Sequence, residues 1–205
     1  MRLTYRFVRF LARLIFVVVY GFKVKGADKI PMQGRAIYAA NHRSLLDPPA
    51  VGVALKREIR YLAKEELFRV PMLGYLIRHL GAIPIKRSKM DIDALRKATS
   101  LLENEQALVL FPEGHRSRNG EMQQGLGGVG YLASQTNSPV FPISIRNTYA
   151  GERKLFGRNK IEIIVGDRII YEEPQDNSRR AKHEAYQAFS NKIMKIIASM
   201  KANPI

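Results

Sequence analysis

The chain has 205 residues, most simply one domain that is large enough to fold without disulfides or a structural metal. It contains no cysteine, so disulfides, thiolate zinc sites and cysteine nucleophiles are excluded, and its four histidines lack the spacing of a zinc site. The formal net charge of +16 indicates an anionic partner, and charge alone does not decide between nucleic acid and lipid phosphate.

The N-terminal segment has the pattern of an amphipathic helix. Four arginines recur every three or four residues and therefore share one helical face, namely Arg2, Arg6, Arg9 and Arg13. The uncharged stretch of residues 14–22 is shorter than the ~20 apolar residues of a spanning helix. We therefore predict that residues 1–22 form a helix lying on an anionic membrane surface. The alternatives are an ordinary amphipathic helix packed on the domain with its arginines in water, and a single span.

Strands and helices alternate through the second predicted unit, residues 23–205. A short strand is predicted at residues 23–25, before a turn at Gly26, and further strands are predicted at residues 36–40, 59–63, 81–87, 107–111, 140–145 and 161–165. Pro84 places the fourth of these toward a sheet edge. Helices are predicted from Pro48 and at residues 65–68, 71–79, 91–104 and 180–201. This alternation predicts an α/β fold with a roughly seven-stranded mixed sheet flanked by helices.

Residues 120–130 carry five glycines and are predicted to be the most flexible stretch of the chain. Flexible loops often close over or bind a ligand, so this segment is a candidate lid.

His42 and Asp47 follow the strand at residues 36–40 and are the first candidates for chemistry. On a regular helix they would point about 140° apart, so they meet only if a loop turns into a helix between them. Pro48 supplies that turn, because the residue before a proline avoids helical geometry. A carboxylate there would orient the imidazole and leave its second nitrogen as a general base. The alternative is that Asp47 caps the helix and His42 is a satisfied loop residue.

The segment at residues 111–117 follows a second apolar strand and carries complementary groups. Glu113 can accept a hydrogen bond from a substrate hydroxyl, and Arg116 can bind a phosphate in bidentate fashion. Arg87 is a second cation that could reach the same phosphate. The alternative for each arginine is a solvated surface charge. Together these groups favour a phosphorylated polyol as substrate.

Four segments in order resemble the motif blocks of the glycerophospholipid acyltransferases, above all the bacterial 1-acyl-sn-glycerol-3-phosphate acyltransferases. They are Asn-His-Arg-Ser-Leu-Leu-Asp-Pro, Gly-Ala-Ile-Pro-Ile-Lys-Arg, Phe-Pro-Glu-Gly-His-Arg-Ser and Val-Phe-Pro-Ile, at residues 41–48, 81–87, 111–117 and 140–143. The first and third are the specific ones. The resemblance implies a glycerol-3-phosphate acyltransferase-like fold.

The resemblance also implies an activity, the transfer of a fatty acyl group from acyl-CoA or acyl-carrier protein to the 2-hydroxyl of lysophosphatidic acid. By position, His42 would be the base and Asp47 its partner. Glycerol phosphate would be bound by Arg87, Glu113, Gly114 and Arg116, while Asn41, Ser117 and Pro142 would support the site, Pro142 by shaping the acyl channel. No metal or cofactor is expected beyond the thioester co-substrate, and the implied location is the cytoplasmic face of the cell membrane.

Two positions depart from the family pattern. His115 stands where the family commonly has threonine, and Gln123-Gln124 stands where a lysine is usual, so Arg118 or Arg146 would have to replace that cation. Another lysophospholipid or an amine-bearing lipid is therefore an alternative acceptor. Two further alternatives are a catalytically silent lipid-binding relative and a nucleic-acid-binding module. The module is disfavoured because the chain has no recognisable nucleic-acid-binding signature.

Overall fold

The computed structural model describes residues 3–85, 92–117, 119–150 and 159–202. The helices are α1 (Leu3–Ile15), α2 (Asp47–Ala54), α3 (Pro71–His79), α4 (Ile92–Glu103), α5 (Gly128–Thr136) and α6 (Arg179–Ala202). The strands are β1 (Phe22–Lys25), β2 (Ala36–Ala40), β3 (Ile59–Lys64), β4 (Ala82–Ile85), β5 (Ala107–Leu110), β6 (Val140–Arg146) and β7 (Ile161–Val165). A π-helical turn, Phe16–Tyr20, extends α1, and short 3-10 helices cover Ala27–Lys29 and Glu65–Arg69.

The strands form one mixed sheet of seven in the order β1-β7-β6-β2-β5-β3-β4, so the predicted fold class is confirmed. All neighbouring strands are parallel except β6 and β7. β4 is an edge strand, as Pro84 predicts, since a proline cannot donate to a second neighbour. Because β2 and β5 are parallel, Ala40 and Leu110 end at the same edge of the sheet, which we call the carboxyl edge.

Both faces of the sheet are covered. Alternate residues of β2 show this: Tyr38 belongs to the core on the face covered by α1 and α2, whereas Ile37 belongs to the core covered by α4, α5 and α6. Burial on both faces explains why the central strands are apolar at successive positions rather than at alternate ones.

The prediction of a flexible loop at residues 120–130 is wrong for the last three residues, because α5 begins at Gly128. Gly130 lies against the backbone of α6, and a Cβ on it would come within 2.6 Å of the Tyr186 Cα atom. Glycine at this position therefore permits two helices to approach closely. A sequence alone does not distinguish that role from a flexible turn.

Helix α1 combines features of two of the interpretations of its sequence. Tyr5 and the following Phe16 are buried in the core shared with the sheet, so the segment packs on the domain. On its other side several apolar residues are exposed, among them Leu3, Phe7, Phe10, Leu11 and Leu14. Within the ranges described above, no helix combines the length and the hydropathy that crossing a membrane requires.

Candidate active site

His42 and Asp47 meet at the carboxyl edge, where β2 passes into α2. The His42 Nδ1 atom lies 2.9 Å from Asp47 Oδ2. The same oxygen accepts hydrogen bonds from the backbone N–H groups of Arg43 and Ser44, both at 2.6 Å. Asp47 is fully buried, and its side chain therefore holds the loop and the imidazole together rather than capping α2. A proton on Nδ1 leaves Nε2 with a lone pair, which is the arrangement of a general base.

The imidazole is also fixed by its neighbours in the second loop. The ring of His42 stacks on Phe111, with centroids 4.2 Å apart and planes inclined by 24°. The backbone N–H of Ser117 donates to the His42 carbonyl at 2.9 Å. The two segments thus form one structure, although about 70 residues separate them.

Glu113 joins the two loops through its carboxylate. Oε1 accepts from the backbone N–H of His42 at 2.6 Å, and Oε2 accepts from the backbone N–H of Gln123 at 3.1 Å. The side chain belongs to a residue only 2% exposed. Burial raises the pKa of Glu113 above its usual value, although the two backbone N–H donors act in the opposite direction. The geometry gives Glu113 a positioning contact with His42, whereas its contact with glycerol phosphate stays a prediction.

The remaining motif residues of this loop lie beside Glu113. Gly114 closes a turn by donating to the Phe111 carbonyl at 3.0 Å, and its φ of +73° is a backbone conformation that favours glycine. Arg116 is exposed to solvent two residues further on. An exposed guanidinium at this edge is free of the desolvation cost that burial would impose before a phosphate binds.

The supporting residues divide between two places. Asn41 is buried and bonds the backbone of Ile145 twice, with its Nδ2 donating to the carbonyl at 3.0 Å and its Oδ1 accepting from the N–H at 2.7 Å. It therefore ties the start of the His42 loop to β6. Pro142 is buried within β6, in register with Ala39, and its carbonyl accepts from Gly166. Its predicted part in an acyl channel stays a prediction.

The two arginines considered as replacements for the missing lysine have different outcomes. Arg146 pairs with Glu162 at 3.2 Å and donates to the carbonyl of Met200, so it is committed to the junction of β6, β7 and α6. Arg118 lies outside the described residues, as does Arg87.

Sequence reasoning missed three contributors to the site. Phe111 supports the imidazole, and Gln123 completes the contacts of Glu113 through its backbone. Arg43 is buried next to His42 with its guanidinium 5.4 Å from the ring centroid of Tyr149. Phe111 meets His42 because β2 pairs with β5, and Arg43 meets Tyr149 because β2 pairs with β6, so neither contact lies within one segment of the sequence. The contact of Gln123 with Glu113 depends on how the loop after β5 turns back.

The site offers hydrogen-bonding groups and a base rather than a ligand cluster. In the part of the chain that the structure describes, no three His, Asp or Glu side chains are grouped to hold a metal ion.

The sequence profile of the acyltransferase family matches residues 21–146, which include both loops of the site. The chain belongs to the acyltransferase family. It is 28% identical over 199 residues to the 1-acyl-sn-glycerol-3-phosphate acyltransferase of Streptococcus pneumoniae, covering 94% of this chain and 71% of the relative. The enzyme of the same name from Bacillus subtilis is 25% identical over 164 residues, covering 80% and 81%.

A chloroplast 1-acyl-sn-glycerol-3-phosphate acyltransferase from Arabidopsis thaliana is 26% identical over 171 residues, covering 78% of this chain. This acyltransferase chain spans about half the length of that plant relative, 48%. The fold resembles the crystal structure of the 1-acyl-sn-glycerophosphate acyltransferase from Thermotoga maritima, with a TM-score of 0.71 and 23% identity over 97% of this chain and 82% of the other.

Proposed function

We propose that this acyltransferase transfers a fatty acyl group from a thioester donor to the 2-hydroxyl of 1-acylglycerol 3-phosphate, producing phosphatidic acid. The observation that carries the proposal is the His42–Asp47 pair, held at 2.9 Å in a loop that four backbone hydrogen bonds fix. The two bacterial relatives are named for this activity, and this chain matches them over most of their length. The donor would be acyl-CoA or acyl-carrier protein, and no metal or further cofactor is needed.

In the proposed reaction, the oxygen of the acceptor hydroxyl attacks the thioester carbonyl while His42 Nε2 takes the hydroxyl proton. A C–O bond forms, the C–S bond then breaks, and the leaving thiolate takes the proton back from the imidazolium. Asp47 stabilises the imidazolium through Nδ1. Arg116, with Arg87, would bind the acceptor phosphate, because guanidinium groups match phosphate oxygens in bidentate pairs.

The proposed site of action is a membrane surface, and its cytoplasmic face is part of the proposal. The exposed apolar residues of α1 would enter the acyl boundary while Arg6, Arg9 and Arg13 remain near lipid phosphates. Because the acceptor and the product are both anionic lipids, this placement would concentrate the enzyme where its acceptor lies.

The test is mass-spectrometric detection of phosphatidic acid from purified protein, lysophosphatidic acid and an acyl thioester. We expect product from the wild type, and we expect His42→Ala to reduce the rate by a factor on the order of 10²–10⁴, the range typical of a lost general base. His183→Ala, an exposed histidine on α6, is the matched control and should retain wild-type activity. Equal activity in wild type and His42→Ala would refute this mechanism, and a panel of other lysophospholipids and amine-bearing lipids would identify a different acceptor.

A further inference from the structure

Helix α3 carries apolar residues that the protein itself does not cover. Met72 is 87% exposed and Tyr75 is 66% exposed, and the same surface includes Val70, Leu73 and Leu76. We call these five residues the α3 patch. The only buried residue of the helix is Gly74, which lies against the backbone of Phe68. Arg78 also packs on Phe68, but the large apolar side chains of this helix remain available for another partner.

The sheet topology places α3 beside the candidate active site. β3 is parallel to β5, and β5 is parallel to β2, so β3 ends at the carboxyl edge, where His42 lies. The short helix Glu65–Arg69 follows there and leads directly into α3, which begins at Pro71. The first turn of α3, with Met72 and Leu73, therefore starts at the carboxyl edge on the β4 side of the sheet.

The N-terminal segment reaches the same edge at the other side of the sheet. β7 is antiparallel to β6, and its first residue, Ile161, therefore lies at the carboxyl edge. The backbone N–H of Ile161 donates to the carbonyl of Gly21 at 2.8 Å, just after the π-helical turn that ends at Tyr20. Exposed Val17 and Val18 in that turn extend the apolar surface of α1 toward this edge. The two loops of the candidate site lie between α3 and the N-terminal segment, and they add Leu45 and Leu126 to the exposed apolar residues at this edge.

We propose that the α3 patch is a second membrane contact, which acts with α1 to turn the carboxyl edge toward an anionic lipid bilayer. Three observations favour a bilayer as the occupant. The patch combines long aliphatic side chains with Tyr75, an amphipathic ring of the kind enriched at lipid interfaces. Arg78 flanks it and keeps its positive charge while donating to the carbonyl of Phe68, and the chain carries a net charge of +16. Finally, the end of the N-terminal helical segment, with Val17 and Val18, and the first turn of α3 lie at opposite sides of the carboxyl edge.

This inference rests on the proposed function, since an enzyme that acylates a lipid must present its base to the bilayer. The binding of the α3 patch to a bilayer can nevertheless be measured without the reaction. Two contacts at separate points fix the orientation of a protein on a surface, whereas α1 alone would permit rotation about its own axis.

The absence of tryptophan from the chain permits a direct test, because Tyr75→Trp introduces a single tryptophan, which can be excited apart from the tyrosines. With vesicles of phosphatidylcholine and phosphatidylglycerol, we expect a blue shift of its emission and quenching by brominated phosphatidylcholine. Met32→Trp is the matched control, since Met32 is 61% exposed and precedes β2, at the opposite edge of the sheet. Its emission should not shift. Unshifted emission from Tyr75→Trp in vesicle-bound protein would overturn the proposal.

A second experiment measures vesicle partitioning of the Met72→Gln, Leu73→Gln double variant. We expect a loss on the order of tenfold in the partition coefficient, because two exposed apolar side chains no longer enter the lipid. Met32→Gln should partition as the wild type does.

Two results would assign the α3 patch to another partner and overturn the proposal. If a Tyr75→Trp blue shift occurs without vesicles and grows with protein concentration, the patch binds a second copy of the chain. If the double variant loses as much activity toward a short-chain, water-soluble lysophosphatidic acid as it loses in vesicle binding, the patch lines the substrate site.

Failure of the proposed function gives a different result. If Tyr75→Trp shows the vesicle-dependent shift but the wild type produces no phosphatidic acid, the proposed function fails while this inference stands.

Discussion

Helices α3 and α5 are both nine residues long, and each places a glycine against the backbone of a neighbouring segment. They differ in what else they bury. α5 buries Val129, Leu132, Ala133 and Thr136 in addition to Gly130. α3 buries only Gly74 and leaves its long apolar side chains exposed. Helix length and a glycine at a close backbone contact therefore do not separate a core helix from a surface helix.

The comparison separates a supporting region from a contacting one. On the α5 side, α6 holds the second loop of the candidate site: Asn191 accepts from the N–H of Gly125 at 3.2 Å, and Gln187 donates to the Gly125 carbonyl. That loop carries Glu113, whose carboxylate reaches the backbone of His42. The packed side of the molecule thus positions His42, the proposed base, while the exposed side carries the proposed membrane contact.

The largest difference is expected from truncating one side chain on each helix. Leu132→Ala removes a fully buried side chain and should lower the free energy of unfolding by about 2–5 kcal/mol. Met72→Ala removes a largely exposed one and should change it by less than about 0.5 kcal/mol. Urea denaturation of both variants measures the two values. A similar loss in both would mean that α3 is packed in solution as α5 is.

A smaller effect is expected where the packed side meets the base. Glu113→Gln replaces one acceptor oxygen by an amide NH₂, which cannot accept from a backbone N–H, so the N–H of His42 or of Gln123 loses its partner. A lost buried hydrogen bond costs about 1–3 kcal/mol, and we expect kcat to fall by about 10-fold to 100-fold.

The division between kcat and KM distinguishes the two roles of Glu113. A positioning residue should lower kcat with little change in the KM for the acceptor, whereas direct binding of glycerol phosphate should raise that KM. Glu103→Gln, at the exposed end of α4, is the matched control and should behave as the wild type.

The smallest effect concerns the pH dependence of stability. Burial raises the pKa of Glu113 above its usual 4.5, so the folded protein holds this proton more tightly than the unfolded chain does. The corresponding stability is present below that value and is lost as pH rises through the folded pKa. The free energy of unfolding of the wild type minus that of Glu113→Gln should therefore decrease as pH rises from 4 to 7. An increase would mean that the two N–H donors outweigh burial.

Much of the fold could be predicted from local patterns. All seven strands were predicted, and the central ones were the clearest, because a strand buried on both faces is apolar at successive positions. Pro84 identified an edge strand, since a missing N–H restricts where a strand can pair. Helix α5 was missed, because the sequence does not show whether a glycine forms a turn or a close contact between two helices.

The candidate site could be predicted in part. His42 and Asp47 are five residues apart, and Pro48 decides locally that a turn brings them together. The contacts of Glu113 with His42 and of Asn41 with Ile145 span 71 and 104 residues, so no local pattern contains them. The ion pair of Arg146 with Glu162 could not be predicted locally either, since it depends on the antiparallel alignment of β6 and β7.

The amino-acid sequence by itself determined which groups are candidates for chemistry and for membrane contact, because the His42–Asp47 pair, the Glu113–Arg116 turn and the basic N-terminal helix each lie within one short segment. Only the tertiary structure decided how those groups are held and where they face. The parallel pairing of β2 with β5 brings the two loops to one edge, and the packing of α5 and α6 supports the second loop from behind. Which apolar helix lies inside and which stays exposed depends on what packs against it, and that is a property of the folded molecule.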